Sequence, residues 1–166
     1  PPVVFVHGNP THSEDWVPFL ERLASPAIAL DLPGWGHSET PDASRFDYSM
    51  HGLARFVDRF LDALGVGEHS LVVHDWGVLA LFGAQAAPGR VRRLVVINAV
   101  PLLPGYRWHW IARFAWRVPV AGEVANATTT RARGGRRPGP ERPGALIAHP
   151  LRGRSGPVRT RATACP

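Results

Sequence analysis

The chain has 166 residues, 45% of them hydrophobic, enough for one domain of ordinary size with a real core. All 19 basic residues are Arg, and the net charge of +6 hides a split: residues 1–130 hold 10 Arg against 12 acidic residues, net −2, whereas residues 131–166 hold 9 Arg against Glu141 alone, net +8. The single cysteine, Cys165, excludes an internal disulfide and no apolar run reaches membrane-spanning length, so neither an oxidising compartment nor a membrane partner is implied and a cytoplasmic location is expected.

The chain begins with Pro1 and enters a strand almost at once, which suggests a missing N-terminal portion. Val3–Val6 reads as a short apolar strand running into the turn-rich loop His7-Gly8-Asn9-Pro10-Thr11. From Glu14 to Leu23, apolar residues at Trp16, Val17, Phe19, Leu20 and Leu23 have helical spacing. Ala27–Leu32 reads as a second strand, closed by Pro33-Gly34-Trp35-Gly36-His37-Ser38. Met50 to Leu64 is the clearest amphipathic helix, with Leu53, Phe56, Val57, Phe60, Leu61 and Leu64 in one stripe and Gly65 as its stop. Ser70-Leu71-Val72-Val73 reads as a buried strand, and an Ala/Leu-rich helix is expected from the following turn to about Ala87. Arg90 to Asn98 gives a further strand. Strands alternating with helices predict an α/β fold with a parallel sheet. In such sheets the ligand site lies beyond the carboxyl ends of the strands, where His7–Asn9, Gly34–Ser38, Asp75–Trp76 and Asn98 all fall.

The centre of this pattern is His74-Asp75-Trp76-Gly77. A carboxylate between strand and helix, with Gly two positions on, stands where a nucleophile elbow puts its reactive group. The small residue lets the helix pass close to the strand, and the helix start points amide donors at negative charge forming there. The plainer alternative is that Asp75 only caps the helix.

After Val100 the pattern changes. Residues 100–130, with Pro101, Pro104 and a Trp- and Arg-dense run, read as the start of a lid or a partner-facing element. Residues 131–166 contain 6 Gly, 6 Pro and no aromatic residue, so disorder is expected there. The abrupt switch also has the look of GC-rich DNA read out of frame. Without aromatic interleaving or a folded reader, any nucleic-acid binding by this tail would be non-specific.

His7-Gly8-Asn9-Pro10-Thr11, Asp31-Leu32-Pro33-Gly34-Trp35-Gly36-His37-Ser38 and His74-Asp75-Trp76-Gly77, in that order and spacing, resemble the α/β-hydrolase superfamily over roughly residues 2–125. More narrowly they look like its Asp-nucleophile branch of haloalkane dehalogenases and epoxide hydrolases. The resemblance implies an α/β-hydrolase core at residues 1–99, with central parallel strands, flanking helices and an incomplete sheet and lid. It makes Asp75 the nucleophile of an alkyl-enzyme ester that water then hydrolyses. It assigns the backbone N–H groups of Asn9 and Trp76 to the oxyanion hole and their side chains to the departing halide. His7 would brace the oxyanion loop, His74 would pack and hydrogen-bond beneath the elbow, and Gly8 and Gly77 would support the turns. The substrate class is a small apolar haloalkane or epoxide, with water and without metal or organic cofactor.

Two positions lean toward a dehalogenase, since epoxide hydrolases usually carry an aromatic residue where Asn9 stands and Gly where Val73 stands. Epoxide hydrolases also use lid tyrosines, and this chain has only Tyr48 and Tyr106. Asn98 departs from the dehalogenase subgroup that has its catalytic Glu there. The family's late acid and His base are not found: after Asp75 the only acids are Glu123 and Glu141, and the only histidines are His109 and His149. The expectation is poor turnover, and the alternative from another class is a non-catalytic fragment. Trp16, Trp35, Trp108 and Trp110 are expected to serve core or lid packing.

Overall fold

Four apolar strands and the helices between them set the architecture. A computed structural model of the chain describes residues 1–99, Val124, and the backbone of two strands at 145–150 and 160–161. Strand β1 (Val3–Val6) lies at the centre, paired in parallel with β2 (Ala27–Leu30) on one side and β3 (His69–His74) on the other. Strand β4 (Val91–Ile97) adds to β3, again in parallel. The predicted parallel α/β sheet is therefore present, with each strand found within two residues of its expected bounds.

Alternation along β1 divides the core between the two sheet faces. Val4 and Val6 point to one face with Ile28, Leu30, Leu71 and Val73, and Phe5 points to the other with Ala27, Ala29 and Val72. The first face is covered by α2 (Met50–Ala63), whose Leu53, Val57, Phe60 and Leu61 are buried as the stripe predicted. Each such side chain contributes roughly 1.5–3 kcal/mol on leaving water. Ser49 caps α2, its hydroxyl accepting from the Gly52 N–H at 3.1 Å.

The second face is covered by Trp16 and Leu20. Here the expected helix over 14–23 is broken into a 3₁₀ turn at Ser13–Trp16 and a short α1 (Val17–Leu20). Pro18 has no N–H to return to the carbonyl four residues earlier, so the helical ladder cannot run through it. After β3 the chain makes a 3₁₀ turn over Asp75–Ala80 before α3 (Leu81–Ala86), instead of one continuous α-helix.

The expectation of disorder from residue 131 is corrected at two places. Residues Ala145–Pro150 form β5, parallel to β2 with Ala27 opposite Ala145, and Thr160–Arg161 form β6, antiparallel to β5. The sheet order is β4-β3-β1-β2-β5-β6. The Gly/Pro/Arg average conceals the run Ala145-Leu146-Ile147-Ala148. Strand β2 is buried on both faces, and its outer backbone groups need a partner that such a run supplies.

The chain divides into two compact units, Pro1–Val100 with Glu141–Pro166, and Pro101–Pro140. The lid expected at 100–130, including Tyr106, Trp108, His109 and Trp110, lies outside the described residues except for Val124, which is helical. The opposite sheet edge, β4, leaves Leu94, Val95, Val96 and Ile97 between 37% and 50% exposed, so apolar side chains of both faces meet solvent there.

Candidate active site

The parallel sheet brings the ends of β1, β2 and β3 to one edge, and the loops that follow them meet there. Asp75 follows β3 with φ 51, in the left-handed region that L-residues rarely occupy. The turn brings this carboxylate to the loop after β1, where the backbone N–H of Asn9 donates to Asp75 Oδ1 at 2.9 Å. This bond spans 66 residues of chain and joins two residues singled out from sequence. A pure helix cap would instead spend the carboxylate on the amides of its own turn.

Glycine is required where these loops touch. A Cβ on Gly8 would overlap Asp75 Cβ and lie 2.6 Å from its Oδ1. One on Gly77 would overlap the Val6 carbonyl oxygen and lie 2.8 Å from that of His7, so the turn after Asp75 runs directly over β1. Trp76 follows Asp75 and is half-buried.

His7 is completely buried and braces the loop after β1. Its Nε2 accepts the Leu32 N–H at 3.0 Å, which places the proton on Nδ1, and Nδ1 donates to the Gly8 carbonyl at 2.7 Å. Burial lowers the pKa of this imidazole below its ordinary 6.5, with nearby His12 acting the same way and the Gly8 bond, Asp31 and Asp15 opposing. His7 is thus a neutral brace between the loops after β1 and β2. His74 lies edge-on to Trp16, ring centroids 6.3 Å apart. Among the described residues the His74 ring forms no hydrogen bond, and its contact is with the Trp16 indole.

Sequence reasoning gave Asp31 no role, yet it is a completely buried carboxylate at the hub of three segments. Its Oδ1 accepts the Ser13 N–H at 2.7 Å and its Oδ2 the His37 N–H at 2.8 Å, with His37 Nδ1 at 3.7 Å. Ser38 Oγ donates to the Asp31 carbonyl at 2.6 Å. An acid ending a fully apolar strand just before Pro-Gly was the available signal. Trp16 packs in the core as expected, 5.0 Å from Phe5 by ring centroids. Trp35 does more than pack: its indole Nε1–H donates to Asn9 Oδ1 at 3.4 Å.

Tyr48 is committed elsewhere, its hydroxyl donating to the Pro41 carbonyl at 2.7 Å. Asn98 follows β4 with φ 42. His149 lies on β5 with its side chain outside the described residues, as are the side chains of Glu123 and Glu141. A cavity of about 240 Å³ lies between α2 and α3 at the amino ends of β3 and β4, lined by Asp58, His69 and Arg90 among others, at the opposite end of the strands from Asp75. Among the described residues no three metal-ligating side chains gather, and no helix is long and apolar enough to cross a membrane.

A carboxylate on a strained strand-to-helix turn, facing a backbone donor of the loop after the central strand, defines a class. Residues 1–146 match the family described as the alpha/beta hydrolase fold, and the chain belongs to that family. Within it, the chain is 40% identical over 111 residues to a haloalkane dehalogenase of Mesorhizobium japonicum, covering 65% of this chain and 34% of the relative. It is equally 40% identical over 101 residues to a cis-3-alkyl-4-alkyloxetan-2-one decarboxylase of Shewanella oneidensis, covering 58% and 32%. Among solved structures, haloalkane dehalogenase DbeA from Bradyrhizobium elkani USDA94 superposes with a TM-score of 0.65 at 32% identity, over 80% of this chain and 47% of that one. The matched part is about a third of the length of these curated relatives.

Proposed function

We propose that this chain carries the nucleophilic half of a haloalkane dehalogenase site. The observation that carries the reading is the 2.9 Å bond from the Asn9 N–H to Asp75 Oδ1, made by a carboxylate held at φ 51. With Oδ1 on that donor, Oδ2 is the oxygen for attack. It forms a bond to the substrate carbon, the carbon–halogen bond breaks, and halide leaves with the electron pair. Asn9 and Trp76 supply N–H donors to that anion. Oδ1 is then the carbonyl oxygen of the alkyl ester. Water adding at Asp75 Cγ would put negative charge on the same Oδ1, already facing the Asn9 N–H, before the alcohol leaves. The base and acid for that second step are not assigned to described side chains, so the first step is the one this reading covers.

The epoxide alternative gains nothing from Tyr48, whose hydroxyl is engaged with Pro41. A second reading has its own observation, since the oxetan-2-one decarboxylase relative matches at the same 40% identity as the dehalogenase. One assay separates them. The purified chain is incubated with 1-bromobutane, 1,2-epoxybutane or a cis-3,4-dialkyl oxetan-2-one, and intact mass, peptide mapping and bromide release are followed. The expected result is one butyl adduct on Asp75 with stoichiometric bromide, abolished in Asp75→Asn. Adduct or product only with the epoxide or the lactone would transfer the reading to that substrate, and no reaction at Asp75 with any of them would refute it.

A further inference from the structure

Asn9 has two different jobs in the proposed site, and only one is secured by its own backbone. Its N–H is aligned on Asp75 by the loop, but the side-chain amide turns about a soft bond and presents either oxygen or nitrogen to a given side. A halide is a pure acceptor, so only the nitrogen end binds it and the oxygen end repels it. Something must choose between the two orientations.

Trp35 is placed to do so. Its indole Nε1–H donates to Asn9 Oδ1 at 3.4 Å, and the rest of its ring packs on the core cluster above β1, 6.3 Å from the His7 ring. An indole nitrogen is a donor only, so the chemistry of the pair fixes the amide with oxygen toward Trp35 and nitrogen away from it. The turn that carries the indole is itself held firmly. The Trp35 N–H bonds the Leu32 carbonyl at 2.9 Å, its carbonyl accepts from Ser38 at 3.0 Å, and the flanking Gly34 and Gly36 have φ 90 and 54. The buried Asp31 carboxylate clamps the same turn through the His37 N–H at 2.8 Å. The chain from anchored turn to indole to amide is thus continuous.

We propose that Trp35 is a positioning residue, which sets the side-chain amide of Asn9 so that its nitrogen serves the anion released at Asp75. The inference rests on the reading of Asn9 as a halide donor, while the Trp35–Asn9 bond stands on its own geometry. Sequence alone assigned Trp35 to packing, and packing would be kept by any large apolar ring.

The test uses the full chain with ¹⁵N-labelled tryptophan. The Trp35 indole cross-peak is recorded in wild type, Asn9→Leu and Asn9→Asp, and sodium bromide is titrated against the Trp76 indole cross-peak in wild type, Trp35→Phe and Asn9→Asp. Asn9→Leu removes the acceptor, so the Trp35 indole signal moves and exchanges faster. Asn9→Asp keeps an acceptor, so the signal stays near its wild-type position while bromide binding is lost. Trp35→Phe retains the ring and thermal midpoint but weakens bromide binding about tenfold, the scale set by one misdirected hydrogen bond. A Trp35 indole signal indifferent to Asn9→Leu overturns the proposal, and so does wild-type bromide affinity in Trp35→Phe. If wild type itself binds no bromide, the dehalogenase reading falls, and the indole signal alone then upholds or overturns the Trp35–Asn9 contact.

Discussion

Replacing Asp75 by glycine and by alanine separates the cost of its backbone from the chemistry of its side chain. Both variants lose the carboxylate and with it the bond from the Asn9 N–H, so that loss cancels between them. What remains is φ 51 at position 75. A residue with a Cβ in the left-handed region costs about 1–2 kcal/mol. Glycine escapes this, but its greater freedom in the unfolded chain takes back roughly 0.4–1 kcal/mol. Asp75→Gly is therefore expected to be more stable than Asp75→Ala by about 1 kcal/mol. Urea unfolding followed by tryptophan fluorescence reads this directly. With a slope of about 1–3 kcal/mol per molar, the midpoints should differ by roughly 0.3–1 M, and neither variant should be alkylated. Equal midpoints, or alanine above glycine, would show that the turn does not hold residue 75 in the left-handed region, and the argument for an elbow would lose its geometric basis.

Gly77→Ala drives a methyl into the carbonyl oxygens of Val6 and His7, which are backbone and cannot swing aside, so a loss of about 1–3 kcal/mol is expected in urea titration. Gly67→Ala, which meets nothing within 4 Å, should stay within about 0.5 kcal/mol of wild type. His7 makes stability pH-dependent: above its ordinary 6.5 it is neutral in both states and its contribution is intact. As pH falls below 6.5 the unfolded chain takes up a proton that buried His7 refuses, so stability declines until the folded ring also titrates. Urea midpoints at pH 7.5 and 5.0 should differ less in His7→Asn, itself less stable at pH 7.5, than in wild type. An equal difference in both proteins would show that His7 is not the group responsible.

Most of the sheet was legible because its three central strands are short apolar runs buried on both faces and its one long helix is strongly amphipathic. Val3–Val6, Ala27–Leu30 and Met50–Ala63 show period and punctuation in the same place. The misreadings have local causes. Pro18 splits a helically spaced run that apolar spacing alone would keep whole. Strand β5 was lost in a regional average, although its four apolar residues satisfy the run-length criterion that identified β1. Composition is a property of a segment, whereas strand pairing is decided by a few residues and an open edge.

The site divides along a similar line. Asp75 and Gly77 could be singled out from sequence because each answers a demand of the turn itself, a carboxylate between strand and helix and no side chain where backbones cross, and Asn9 through the family resemblance. Asp31 and Trp35 could not, because their roles lie in partners that sequence spacing does not bring together. Asp31 reaches Ser13 across 18 residues, and Trp35 reaches Asn9 across 26. Both act on the loops after β1 and β2, which meet only because parallel pairing sets those strands side by side. Asp75 thus owes its position to one turn, while the Asn9 side chain is met by an indole of the neighbouring strand's loop, which a buried carboxylate holds in turn. Perturbing Asp31 or Trp35 should accordingly leave the elbow in place and misdirect what faces it.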